Sequence, residues 1–224
     1  MDTLKILLKG ATPLLMSNPA GMGKPATPGG RKVIPTPEAE AEERAYKFPD
    51  GTLGFPAVGV RNSFLGATKG RRQNKIALGP VFAGAILPTD HMFPFVDDEG
   101  NAVSEYVIDT QRVVIKGAGI MRSRPRLDEW NLVCTFNYNR EVGIDPDVIE
   151  IVAFNAGLTV GIGDYRIANK GWYGSFTLRE LQVVDSKGEI TEHKVATNDG
   201  SLVATGSNGV REAEEFLSSL KVGV

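Results

Sequence analysis

Apolar and polar positions along this chain fall into short blocks, and the period of each block predicts an element. LKILLKGATPLLM (4–16) is almost unbroken in its apolar character and predicts a buried first strand that ends near Gly10 to Pro13, with a second apolar run after it. WNLVCTFNYN (130–139) alternates as a half-buried strand does, and GWYGSFTLRELQVVD (171–185) alternates over a long final strand. Residues 81–110 read as strands broken by loops, with a hairpin turn around Asp97 to Gly100. Helices are predicted over PEAEAEERAY (37–46), VGVRNSFLGATKG (58–70) and IDPDVIEIVAFNAGLTVGIG, where Asp145 suits a cap, Pro146 the first turn and Gly157 the end. REAEEFLSSLK (211–221) predicts a short terminal helix.

The resulting order is strand, helix, strands, helix, strand, which is an α+β pattern. We expect one domain over 1–185, carrying a flexible loop at 17–37 and an insertion at 88–108, followed by a polar C-terminal extension over 186–224. The 17–37 loop holds five prolines among its glycines, a composition that forbids regular structure. Within it AGMGKP (20–25) imitates the end of a phosphate-binding loop, but Asn18 stands where the first glycine belongs and Pro25 replaces the Ser or Thr. GIGDYR (161–166) has two glycines of a dinucleotide fingerprint and lacks the third.

Composition narrows the chemistry. The 224 residues are 42% apolar, enough for a sizeable core, and no apolar run reaches the roughly 18 residues of a membrane span. The N-terminus lacks secretory-signal character, so a cytoplasmic, membrane-free protein is expected. Cys134 is the only cysteine, which excludes a disulfide within the chain and predicts a buried core thiol. His91 and His193 fall in polar surroundings and read as surface residues, and paired acids such as Asp97–Asp98 and Glu214–Glu215 read as solvated. No cofactor or metal motif is present, and none is expected.

The net charge is −2, yet it is unevenly spread. RNSFLGATKGRRQNK (61–75) and RVVIKGAGIMRSRPRL (112–127) each carry five basic residues and no acid, whereas eight acids face four bases after Arg179. Local basic footprints of this kind are what a nucleic acid requires of its partner. Arg61, Lys69, Arg71, Arg72 and Lys75 form the first island; Arg122, Arg124 and Arg126 share one side of a strand by alternation. Three like charges side by side repel unless an anion lies against them. GIGDYRIANKGWYGSF (161–176) adds Arg166, Lys170 and Trp172, cations and a flat ring among glycines.

These residues resemble a known family. GFPAVGVRNSFLGATKGRR, with Phe55, Pro56, Gly59, Arg61 and Gly66, resembles the strand, proline, small-residue turn and basic helix of the RAMP superfamily, the backbone subunits of CRISPR effector complexes. LLKGATPLLMS is similar to that superfamily's first strand, GIGDYRIANKGWYGSF to its glycine-rich segment, and phage proteins share a PLLM start, an RxRP segment and a GIGDYR segment. The resemblance implies a ferredoxin-like or RRM-like core (an antiparallel sheet with helices) bearing loop and hairpin insertions. It also implies recognition of single-stranded RNA or DNA by a homo-oligomer or filament. RNA-cleaving members use an aspartate in the loop after the first strand, whereas 17–37 contains no acid. A non-catalytic binding role is therefore expected; the alternatives are a structural phage-type assembly protein without nucleic acid and a carboxylate- and metal-dependent nuclease.

Overall fold

The computed structural model describes residues 1–19, 35–73, 75–115, 117–196 and 202–204. The first apolar run forms β1 (Asp2–Gly10), which lies inside the main sheet because both of its edges are paired. β10 (Asn131–Tyr138) and β11 (Phe176–Val184) flank it, both antiparallel, with Ile6 opposite Cys134 on one side and Leu181 on the other. Alternation then buries Leu4, Ile6 and Leu8 together with Leu132, Cys134, Phe136, Leu181 and Val183. Burial pushes the Cys134 thiol well above its usual range, as a core thiol requires.

Two helices lie against that buried surface. α2 (Ala57–Ala67) contributes Val60 and Phe64, and α4 (Pro146–Thr159) contributes Ile149, Val152, Ala153 and Ala156. Phe64 meets Phe136 at 6.1 Å between ring centroids and Phe176 at 6.3 Å. Each such buried ring is worth roughly 1.5–3 kcal/mol of transfer free energy. Pro146 opens α4 as expected, but Asp145 makes no side-chain cap bond, and the helix runs past Gly157 to Thr159. Gly157 is there because α4 crosses β11 so closely that a Cβ would stand 1.8 Å from the Phe176 carbonyl oxygen.

Between α2 and β10 the chain differs from its predicted strands. Residues 78–85 form α3 (Leu78–Ala85) instead, burying Leu78, Phe82 and Ala85 on one side. β6 (Ile86–Pro88) and β7 (Met92–Val96) then pair in succession with the free edge of β10, and β3 (Gly54–Pro56) pairs with β7. In spatial order β11, β1, β10 and β6/β7 therefore lie side by side, all antiparallel, with α2 following β1 and α4 following β10. The turn expected at 97–100 is present, with Gly100 N–H donating to the Asp97 carbonyl and the Asp97 carboxylate accepting from the backbone of Glu99 and Asn101.

A longer hairpin follows that turn: β8 (Val107–Ile115) and β9 (Ala118–Leu127) pair along their whole length. β2 (Leu14–Leu15) joins β9, and α1 (Pro37–Arg44) packs on the same small sheet. Thr36 caps α1 by accepting from the Ala39 N–H at 3.3 Å. Beyond 185 the chain is not purely loop-like: β12 (Ile190–Ala196) and β13 (Leu202–Ala204) extend the main sheet past β11. The strand expected to be last is thus the third from its edge. Residues 20–34, which hold AGMGKP, and the predicted helix at 211–221 with Glu214–Glu215 lie outside the described residues. Among the described residues, no helix is long and apolar enough to cross a membrane.

Candidate nucleic-acid interface

The first basic island splits between two roles. Arg61 is half-buried and donates to the carbonyls of Ala83 at 2.6 Å and Ile86 at 3.2 Å, so it caps the C-terminal end of α3. Lys69, Arg71, Arg72 and Lys75 are exposed on the turn after α2 and on a small hairpin, β4 (Arg72–Gln73) and β5 (Ile76–Ala77). The hairpin is anchored by the Leu78 N–H donating to the Arg71 carbonyl and by the Gln73 amide donating to the Gly143 carbonyl. Among the described residues none of these four cations meets a carboxylate within ion-pair distance.

The glycine-rich segment after α4 folds back on itself. Gly174, at φ +66°, donates to the Pro13 carbonyl and accepts from the Ile162 N–H, and a Cβ there would lie 1.8 Å from the Ile162 oxygen. These glycines therefore serve backbone-on-backbone packing, and the side chains between them are what the segment presents. Tyr165 and Lys170 adopt left-handed backbone at φ 50° and 63°, an uncommon state for residues with a Cβ. Tyr165, Tyr173 and Trp172 form a ladder with centroid separations of 6.4 and 4.4 Å, and Tyr165 and Trp172 are about half exposed. Arg166 donates to the Gly163 carbonyl, and Lys170 is exposed.

Two of the segments singled out in sequence meet. A cavity of about 410 Å³ is lined by Pro56, Gly59, Asn62 and Ser63 of the α2 region and by Gly161, Gly163, Asp164 and Arg166 of the glycine-rich segment, with Ser17 and Tyr46 closing it. At the other end of α2, Gly66 abuts Val160, whose carbonyl accepts from the Ala168 N–H. Lys69 and Lys170, each within three residues of that junction, thus extend from a shared anchor. Val160 carried no sequence signal for this role, since it is an ordinary apolar residue at the end of a helix.

Arg122, Arg124 and Arg126 do lie along β9, but the anions they need come from the chain itself. Arg122 pairs with Glu40 of α1 at 3.1 Å, Arg124 with Asp164 at 2.8 Å, and Arg126 with Asp109 at 3.1 Å and Asp128 at 2.7 Å. The Asp128 hydrogen bond leads in holding the Arg126 guanidinium above its usual pKa. Arg44, which sequence reasoning passed over, is buried and shares Glu40 with Arg122. His193 is likewise not on the surface: it is 4% exposed, with Nε2 2.7 Å from a Glu180 carboxylate oxygen. His91 is exposed, as expected. Among the described residues, no three His, Cys, Asp or Glu side chains converge on a metal-sized site. No family model and no curated protein matches the chain.

Proposed function

We propose that the protein binds single-stranded nucleic acid, RNA or DNA, through backbone phosphates and stacking, without a catalytic step, and that copies assemble along the strand. The observation that carries this is the contrast between the two basic islands. Arg122, Arg124 and Arg126 are consumed by internal carboxylates, whereas among the described residues Lys69, Arg71, Arg72 and Lys75 meet none; they follow α2, whose Gly66 packs against Val160 at the start of the segment that bears Arg166, Lys170 and the exposed Trp172. Unneutralised cations and accessible rings are the two ingredients of sequence-tolerant strand binding.

The strand order supports a ferredoxin-like core of the RAMP type. With the insertions set aside, β1, α2, β6/β7, β10, α4 and β11 alternate as strand, helix, strand, strand, helix, strand, and the fourth, first, third and second strands lie side by side. Exposed aliphatic side chains along the β8–β9 hairpin, Val107, Val114 and Met121 among them, support assembly between copies. Titrating labelled homopolymers of equal length at low salt tests the proposal: binding should vary little among unstructured oligo-dT, oligo-U and oligo-dA, and electron microscopy of the mixture should show extended assemblies. Binding confined to one base, or none at all, would overturn it.

A further inference from the structure

The cavity between α2 and the glycine-rich segment holds a feature that the exposed hairpin does not explain. Ser63 forms part of its wall and is only 3% exposed, yet the Ser63 hydroxyl has no hydrogen-bond partner. A buried hydroxyl left unmatched costs stability unless a further group arrives to meet it. Asn62, its neighbour on α2, also lines the cavity and adds an amide that can both donate and accept. The glycine-rich segment contributes Arg166, whose guanidinium donates to the Gly163 carbonyl and meets no carboxylate among the described residues. The acid in the wall, Asp164, is already matched: one oxygen accepts from Arg124 at 2.8 Å and the other from the Tyr165 N–H at 2.9 Å. Pro56 gives α2 no side-chain cap, so the positive end of that helix borders the same space. The volume of about 410 Å³ falls within the roughly 300–1,000 Å³ of small-ligand sites.

We infer that this cavity holds a single nucleotide, with the phosphate on Arg166 and the ring against Tyr46 and Pro56, where Asn62 and Ser63 meet its polar edge. The guanidinium and the uncapped helix end call for an anion, and a planar guanidinium suits the paired oxygens of a phosphate. A bare anion would leave the rest of the wall unused. Asn62 and Ser63 are neutral groups that donate and accept, and beside flat apolar side chains they suit a heterocycle. The same nucleotide arrives free or as one link of a strand, and the inference rests on the strand-binding reading only for the second source.

Titrating the full chain with thymidine monophosphate, adenosine monophosphate, inorganic phosphate and a short oligo-dT without a terminal phosphate tests it, with the Arg166 Nε–Hε NMR signal as the readout. A nucleotide, free or in the strand, should shift that signal saturably and bind more tightly than inorganic phosphate. Arg166→Gln should weaken nucleotide binding by about tenfold, the scale of one charge-assisted contact, and calorimetry would measure it in this variant. Ser63→Ala should weaken it by about fivefold, the scale of one neutral hydrogen bond, without lowering Tm, because it removes a hydroxyl that is unmatched in the free protein. A purely structural Ser63 would instead lower Tm and leave affinity alone. Arg71→Ala with Arg72→Ala should leave monophosphate binding unchanged. Tighter binding of a monophosphate marks a free nucleotide, tighter binding of oligo-dT marks a link of the strand, and either supports the pocket. Monophosphate binding in a protein that binds no homopolymer also supports it, while ending the strand proposal alone. Inorganic phosphate bound as tightly as the nucleotides, no binding of any nucleotide probe, or wild-type affinity in both Arg166→Gln and Ser63→Ala would overturn it.

Discussion

At the scale of single residues, the behaviour of an arginine here depends on what faces it, and that is set by residues far away in the chain. Alternation put Arg122, Arg124 and Arg126 along one strand and implied that an anion must lie against them. It could not say that the anions are Glu40, Asp164, Asp109 and Asp128, because Glu40 lies 82 residues from Arg122 and Asp164 lies 40 from Arg124. Glu40 carries the largest share of that network: one oxygen accepts from Arg44 and Arg122, and the other from the Ser123 N–H at 2.9 Å. Removing it strands the mostly buried Arg44 guanidinium. Glu40→Ala should therefore cost about 3 kcal/mol, the scale of breaking a buried ion pair from one side, and urea unfolding at neutral pH would measure it. A loss below about 0.5 kcal/mol, the size of an ordinary surface substitution, would mean the network is dispensable.

Elements were legible where one period dominated. β1, β10, α2 and α4 carry clean alternation or a clear helical start, and they form close to where the pattern puts them. α3 was hidden by Gly79, Pro80 and Gly84, although Leu78, Phe82 and Ala85 keep helical spacing and are the residues it buries. β12 was hidden for the opposite reason: its stretch looks polar because it buries His193 against Glu180 of β11. The 97–100 turn shows how a loop is tied to such elements. Asp98 accepts from Asn131 of β10 and from Lys9 of β1, and it pairs with Arg179 of β11. The Asn131 hydrogen bond, followed by that of Lys9, holds the Asp98 carboxyl below its ordinary pKa. A lowered folded value means this stabilisation is complete above the unfolded pKa of roughly 3.9 and is lost as pH falls through the folded value. Asp98→Asn should thus lower Tm at neutral pH, with a deficit that shrinks as pH falls below the unfolded value; a Tm deficit undiminished in acid would show that the contact is steric and not ionic.

For the whole molecule, a net charge of −2 conceals three arginines spent on internal carboxylates and, on the hairpin after α2, four cations that meet none among the described residues. Sequence alone identified the islands and the glycine-rich segment. It joined them only through a resemblance, since the junction at Val160 and the cavity between α2 and residues 161–166 exist only once β1, β10 and β11 have brought α2 and α4 together. Strand binding by the unspent island predicts a specific salt dependence, because each phosphate contact on a single strand releases roughly 0.7 of a counterion. The direct measurement is the salt slope of oligo-dT affinity for the wild type and for Arg71→Ala with Arg72→Ala, both checked for equal Tm. If the hairpin cations hold the strand, the slope of log affinity against log salt should flatten by about 1.4, two contacts' worth, with weaker binding throughout. An unchanged slope in a variant that melts like the wild type would contradict the assignment of the strand to this hairpin.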